Sequence, residues 1–178
     1  MKRVIGVLFI ISLLVNIYLI NSYLKLNEVN KHNIEEIYFS YYLVFDDIVS
    51  NFDNYSNLTI TECDKLIRNV NKAKIYGELI SLYDKNSDLE DICFYLNIGF
   101  GEILITLKEE NNLDNVEKNY QLLLQQIKVT HDNLKKNIII YDNSEKTGYR
   151  INRKYDDIVF KNIYTNIRVM LKDNKKLQ

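Results

Sequence analysis

His32 and His131 are the only two histidines in the sequence, and Cys63 and Cys93 the only two cysteines. An imidazole serves as a general base or a metal ligand when a carboxylate, a thiol or a second imidazole is held beside it. Neither histidine has such a neighbour at a recognised metal spacing, and the two fall in different predicted helices, so both are expected on the surface. The acidic pairs Glu35-Glu36, Asp46-Asp47, Glu109-Glu110 and Asp156-Asp157 could offer paired carboxylates for acid-base work. Adjacent residues on a helix point about 100° apart, however, and each pair alternates with apolar positions, which describes a solvated helix face. Gly99-Phe100-Gly101 superficially matches a phosphate-binding glycine loop. The dinucleotide fingerprint requires a third glycine and a preceding strand, whereas position 104 is Leu104 and no strand precedes it. A local kink or a close helix contact is the expected meaning of those glycines.

No serine lies in a nucleophile-elbow pattern, and no basic cluster is interleaved with aromatics. No catalytic, cofactor-binding or metal-binding residue is therefore assigned, no cofactor is expected, and the chain is read as no enzyme. A hydrolytic role would require a cleft that brings His32 or His131 beside carboxylates. Asn54-Tyr55-Ser56 and Asn57-Leu58-Thr59 fit the glycosylation pattern, which the abundance of asparagine makes unremarkable.

The chain has 178 residues and a formal charge of −1, so one domain of ordinary size is expected and nucleic acid is not favoured as a partner. Proline is absent and glycine occurs five times, so the strongest helix breakers are nearly missing. An all-α fold is expected: an N-terminal transmembrane helix followed by an antiparallel bundle of four or five helices.

Val4 to Leu24 follows Lys2-Arg3 and contains no charge, with Ser12, Asn16, Asn21 and Ser22 as its clearly polar residues. Its length of about 21 residues spans about 31 Å as a helix, close to the hydrocarbon thickness of a bilayer. A cleavable signal has a shorter apolar centre and small residues at its cleavage site. Ile20-Asn21-Ser22 places a branched residue where a small one is needed, so retention is expected, with a secreted protein after cleavage as the alternative. Tyr18 and Tyr23 suit the outer interface, and Lys2 and Arg3 the cytoplasmic side. Residues 1–24 are thus read as a signal-anchor, 25–33 as a helical linker, 34–173 as an extracytoplasmic bundle and 174–178 as a polar tail. Nothing between Leu24 and Ile34 breaks a helix, which predicts one continuous helix to about Phe52, about 70 Å long.

Five apolar stripes at helical spacing follow. The first is Ile34, Tyr38, Tyr41, Phe45, Ile48 and Phe52, whose aromatics are read as core. Asn51 to Asn57 reads as a loop, and Thr59-Ile60-Thr61-Glu62 as a capping box opening the stripe Cys63, Leu66, Val70, Ala73, Gly77 and Ile80. The small Ala73 and Gly77 admit a closely approaching helix. Ser87-Asp88-Leu89-Glu90 reads as a second capping box before Leu89, Cys93, Leu96, Phe100, Ile103 and Leu107. After a break at Asn111-Asn112-Leu113-Asp114 come Val116, Tyr120, Leu123, Ile127 and Leu134. Residues 138–151 read equally as a small hairpin or as a frayed helix end and loop. The last stripe is Tyr155, Val159, Ile163, Ile167 and Met170, which Arg153, Asp156, Asp157, Lys161 and Arg168 disqualify as a second membrane span.

In a plain antiparallel hairpin of the second and third helices, Cys63 and Cys93 are offset by about 20 Å along the axis. A disulfide needs Cα atoms within about 7 Å. Unpaired, buried thiols are expected. The architecture resembles that of bacterial chemoreceptor sensing domains, in which a membrane helix continues into a bundle, but no motif carries the likeness. The leading functional reading is a single-pass membrane protein, amino end inside, whose bundle binds, scaffolds or assists. Its expected partners are membrane lipid through residues 4–24 and a protein partner or a second copy. The alternative is a small-ligand sensor with a pocket between helices.

Overall fold

The computed structural model describes residues 2–55, 58–85, 87–109, 113–142, 144 and 148–175, without the side chains at 2–14, 54, 113–115 and 173–175. The chain is almost wholly helical: α1 is Lys2–Ser50, α2 Phe52–Tyr55, α3 Ile60–Asp84, α4 Asp88–Lys108, α5 Leu113–Asn137 and α6 Asp157–Lys175. Two short strands, β1 Ile139–Tyr141 and β2 Tyr149–Ile151, lie between α5 and α6. Residues 27–33 are helical within α1, as a linker without proline or glycine predicts. The chain divides into two units, Met1–Glu36 and Ile37–Gln178.

In the first unit, i,i+4 pairs line the polar part of the helix: Lys31 with Glu35 at 3.8 Å and His32 with Glu36 at 3.2 Å. Upstream of them Val15, Ile17, Tyr18, Leu19, Ile20, Tyr23 and Leu24 are all exposed.

The second unit is a helical bundle. The buried residues of α3 are Cys63, Leu66, Val70, Ala73, Gly77 and Ile80, the full expected stripe. Gly77 earns its place at the α3–α4 crossing, where a Cβ would come within 3.0 Å of the Glu90 Cα and 3.1 Å of its backbone nitrogen. Asn97 donates to the Asn71 side chain at 2.6 Å and the Cys63 thiol to the Phe100 carbonyl at 3.2 Å. These contacts run in opposite directions along the two helices, which makes the pair antiparallel. Helix α4 packs also on α5 and α6, and is accordingly buried along Leu89, Ile92, Cys93, Leu96, Gly99, Phe100 and Ile103. From α1, Tyr38, Tyr41, Phe45 and Ile48 enter the same core. The buried Tyr41 hydroxyl is satisfied by donating to the Leu89 carbonyl at 2.8 Å, and the Tyr120 hydroxyl by the Tyr55 carbonyl at 2.9 Å.

Several expectations are corrected. The Asn51–Asn57 loop contains the helical turn α2, with residues 56 and 57 outside the description. Thr59 caps α3 as expected, accepting from the Glu62 amide at 3.2 Å. Ser87 forms no capping box: its backbone is itself αR, at φ −92 and ψ −6, and its side chain takes no cap hydrogen bond. The helix start is served instead by Asp88, Glu90 and Asp91 in the first turn, where the helix dipole favours negative charge. The break expected at Asn111-Asn112 lies outside the described residues.

The last stripe is shifted. Asp156 caps the Ile158 amide at 3.0 Å and α6 begins at Asp157, so Tyr155 precedes the helix and its period does not extend to it. The buried face is Phe160, Ile163, Ile167 and Leu171. Between α5 and α6 the hairpin is formed, pairing Ile139 with Ile151, Ile140 with Arg150 and Tyr141 with Tyr149. Ile138, Ile139 and Ile151 are buried, and Gly148 takes φ +74 in the turn, a left-handed value suited to glycine.

Candidate functional site

His131 is 6% exposed, a correction to the surface position expected of it. It lies on the core side of α5 with Thr130, and together they fill the gap of seven between Ile127 and Leu134 in the apolar stripe. That gap in the stripe is the signal in the sequence that could have marked the position as inward. Thr130 satisfies its hydroxyl on the Gln126 carbonyl at 2.8 Å. The imidazole stacks on Tyr42 of α1, ring centroids 5.4 Å apart, and its Nε2 lies 2.9 Å from Asp46 Oδ1. Its Nδ1 lies 3.1 Å from Asp132 Oδ1. Asp46 Oδ1 also accepts from the Tyr42 hydroxyl at 3.1 Å. Burial, then hydrogen bonding to Tyr141 and Asp46, pushes the Tyr42 phenol well above its ordinary range.

The tertiary fold thus brings the Asp46 carboxylate to an imidazole that already has Asp132 beside it in the sequence. Both ring nitrogens lie within hydrogen-bond distance of carboxylate oxygens, one on α1 and one on the next residue of α5. The cluster orients α1 on α5. Of the other acidic pairs, Glu35 and Glu36 carry surface i,i+4 contacts, and Asp156 caps a helix. Among the described residues no group of three or more His, Cys, Asp or Glu side chains could hold a metal ion.

A second polar cluster joins α1, the end of α3 and the segment after β2. Asp84 accepts from Tyr38 at 3.0 Å and from Arg153 Nε at 2.9 Å, and a second Arg153 nitrogen pairs with its other oxygen. The fork of a guanidinium on a carboxylate gives this contact direction as well as charge. Burial first, and then Tyr155 and Asp84 nearby, drives the Tyr38 phenol far above its ordinary value.

Cys63 and Cys93 are unpaired and fully buried. Burial pushes both thiols up to about 12. Such thiols pack as small hydrophobes and have little nucleophilic character.

An open groove of about 150 Å³ runs between α1 and α3, with Val44 at its base and Ser40, Asp47, Asn69, Lys72 and Tyr76 among its walls. It presents one carboxylate and one ammonium along with apolar surface. On α1 of the first unit, the exposed residues Val15 to Leu24 carry no charge, and their relative exposures lie between 48% and 71% for the large apolar side chains. Among the described residues no helix is long and apolar enough to cross a membrane. The side chains of Val4 to Leu14, which would complete the expected span of residues 4–24, lie outside the described residues.

No protein-family model, curated protein or solved structure matches the chain.

Proposed function

We propose that the chain is a membrane-tethered, non-enzymatic interaction module, with residues 4–24 crossing the bilayer, the amino end in the cytoplasm and the helical bundle outside. The observation that carries this reading is the uncharged segment from Val15 to Leu24, in which Val15, Ile17, Tyr18, Leu19, Ile20, Tyr23 and Leu24 are exposed between the polar Asn16, Asn21 and Ser22. Apolar side chains of this size lose about 1.5–3 kcal/mol each by staying in water, which a lipid environment relieves. Val4 to Leu14 continue the run in the sequence to a bilayer-spanning length. The doubly engaged His131 ring supports the non-enzymatic part, because the imidazole beside carboxylates is committed to packing.

Fractionation of cells making the full chain tests the reading. Intact protein is expected in the membrane pellet after carbonate or high salt, and in solution only after detergent. Protein beginning near Tyr23 and free in the medium, or release by carbonate, overturns it. The groove between α1 and α3 favours the second reading, a sensor of small zwitterions whose amine faces Asp47 and whose acid faces Lys72. Its test is a thermal-shift screen with free amino acids, in which Lys72→Met abolishes the shift.

A further inference from the structure

The groove between α1 and α3 has a charged end and an apolar stretch. Ser40, Leu43, Val44 and Asp47 recur at helical steps on one face of α1, and Asn69, Lys72 and Tyr76 on one face of α3. The two helices run antiparallel here, because Tyr38 donates to Asp84 at the end of α3, whereas Tyr55, beyond the end of α1, accepts from Asn69. Asp47 and Asn69 therefore mark one end of the groove, and Ser40 and Tyr76 the other. Helical side chains lean toward the N-terminus of their own helix, which carries Lys72 toward Asn69 and so toward the Asp47 end. Leu43 and Val44 line the stretch between the ends.

Neighbouring charges on α3 neutralise one another, Arg68 pairing with Asp64 at 3.0 Å and Lys74 with Glu78 at 2.7 Å. Asp47 accepts from the Asn51 side chain at 3.3 Å, and among the described residues neither Asp47 nor Lys72 is in an ion pair. One opposite charge on each wall suits a head group that carries both. A zwitterion held there leaves the apolar stretch to its side chain. The groove volume of about 150 Å³ matches a cavity that holds one benzene-sized group. From Ser40 to Asp47 the helix rises about 10 Å, part of which the head group takes. A side chain the size of leucine's or phenylalanine's fills the rest. A charged side chain would lie against Leu43 and Val44, where removing its water without a partner costs binding.

We infer that the groove selects free amino acids with an apolar side chain of leucine to phenylalanine size, with Leu43 and Val44 of α1 and Tyr76 of α3 determining specificity. The inference rests on the sensor reading of this groove and names which zwitterions it accepts.

Dissociation constants are measured by NMR titration of the full chain in mild detergent micelles with leucine, phenylalanine, alanine and glutamate. Each buried methylene strengthens binding about fourfold, and an open groove covers about two of the three carbons that leucine adds to alanine. Leucine and phenylalanine are therefore expected to bind about tenfold tighter than alanine, and glutamate no tighter than alanine. Leu43→Ser changes a side chain that is 45% exposed, so the fold tolerates it. It should reduce the leucine-to-alanine ratio to about threefold, with the alanine constant within about twofold of the parent's. Lys72→Met should weaken leucine and alanine together, because it acts on the head group they share. Binding of none of the four amino acids overturns the sensor reading and the inference alike. Glutamate bound as tightly as leucine, or a leucine-to-alanine ratio unchanged by Leu43→Ser, overturns the inference and leaves the sensor reading standing.

Discussion

Replacing glycine by alanine within helices of one protein has opposite consequences at Gly77 and Gly101. Each substitution gains about 0.5–1 kcal/mol from reduced backbone freedom in the unfolded chain and better helix propensity. At Gly101 the added Cβ meets nothing within 4 Å, so the gain stands and the monomer is stabilised by about that amount. At Gly77 the new atom would lie 3.0 Å from the Cα of Glu90, 3.1 Å from its nitrogen and 3.4 Å from the Leu89 carbonyl carbon. All three are backbone atoms, which cannot rotate away, so α4 itself must shift, and overpacking of this kind costs about 1–3 kcal/mol. The net expectation for Gly77→Ala is a loss of about 1–2 kcal/mol, hence a separation of about 2 kcal/mol between the variants. Gly99 falls between them, because its nearest neighbours are methyl ends of Leu123 and Leu171, at 2.8 and 3.2 Å, which can turn aside. Thermal or urea unfolding of the full chain in one mild detergent, followed by helical circular dichroism, reads the difference. At about 4 °C per kcal/mol the midpoints should differ by about 8 °C. A Gly77→Ala midpoint equal to or above that of Gly101→Ala would refute the assignment of Gly77 to a backbone-limited crossing.

Cys63 and Cys93 should stay unlabelled by a thiol reagent at pH 8.5 in the folded chain and give two reactive groups after denaturation without reductant; labelling of the folded chain at the free-thiol rate would contradict their burial. Because burial raises the folded-state thiols from 9.0 to about 12, the stability they contribute is complete below pH 9 and lost as pH rises through 12, with the Tyr155 phenol, raised from 10.0 to about 12, acting in the same sense. Urea midpoints should therefore fall between pH 9 and 11, and a flat profile would count against it. His131→Ala should cost about 2 kcal/mol, from a lost buried ring and the hydrogen bonds to Asp46 and Asp132, whereas His32→Ala on the surface should stay within about 0.5 kcal/mol. Equal effects in urea unfolding would place the two imidazoles in equivalent settings. Arg153→Ala should destabilise by about 1–3 kcal/mol, since it leaves the largely buried Asp84 carboxylate with Tyr38; a Tyr38→Phe, Arg153→Ala double-mutant cycle with no coupling would show that the cluster does not act as a unit.

Helix identity and the inward faces of α3 and α5 follow from local information, because a 3.6-residue apolar period is stated by nearest neighbours along the chain. Cys63, Leu66, Val70, Ala73, Gly77 and Ile80 needed no tertiary knowledge to be read as core, and a chain with no proline left the helices free to run. The unpaired state of Cys63 and Cys93 likewise follows from helix rise and the position of one turn. The start of α6 was less legible: a cap at Asp156 competes with Tyr155 for the period, and only packing against α4 and α5 selects Phe160 and Leu171 as the buried pair. The hairpin was ambiguous for a similar reason, since three consecutive isoleucines suit a strand or a helix end until Ile151 returns to pair with Ile139. His131 shows the sharpest division. It was expected on the surface although it falls in a gap of the stripe, and its partner Asp46 lies on another helix, in an acidic pair that reads as a solvated face. Bringing the two together depends on how α1 docks on α5, and docking is decided by the summed shape of many buried side chains, which no local pattern records.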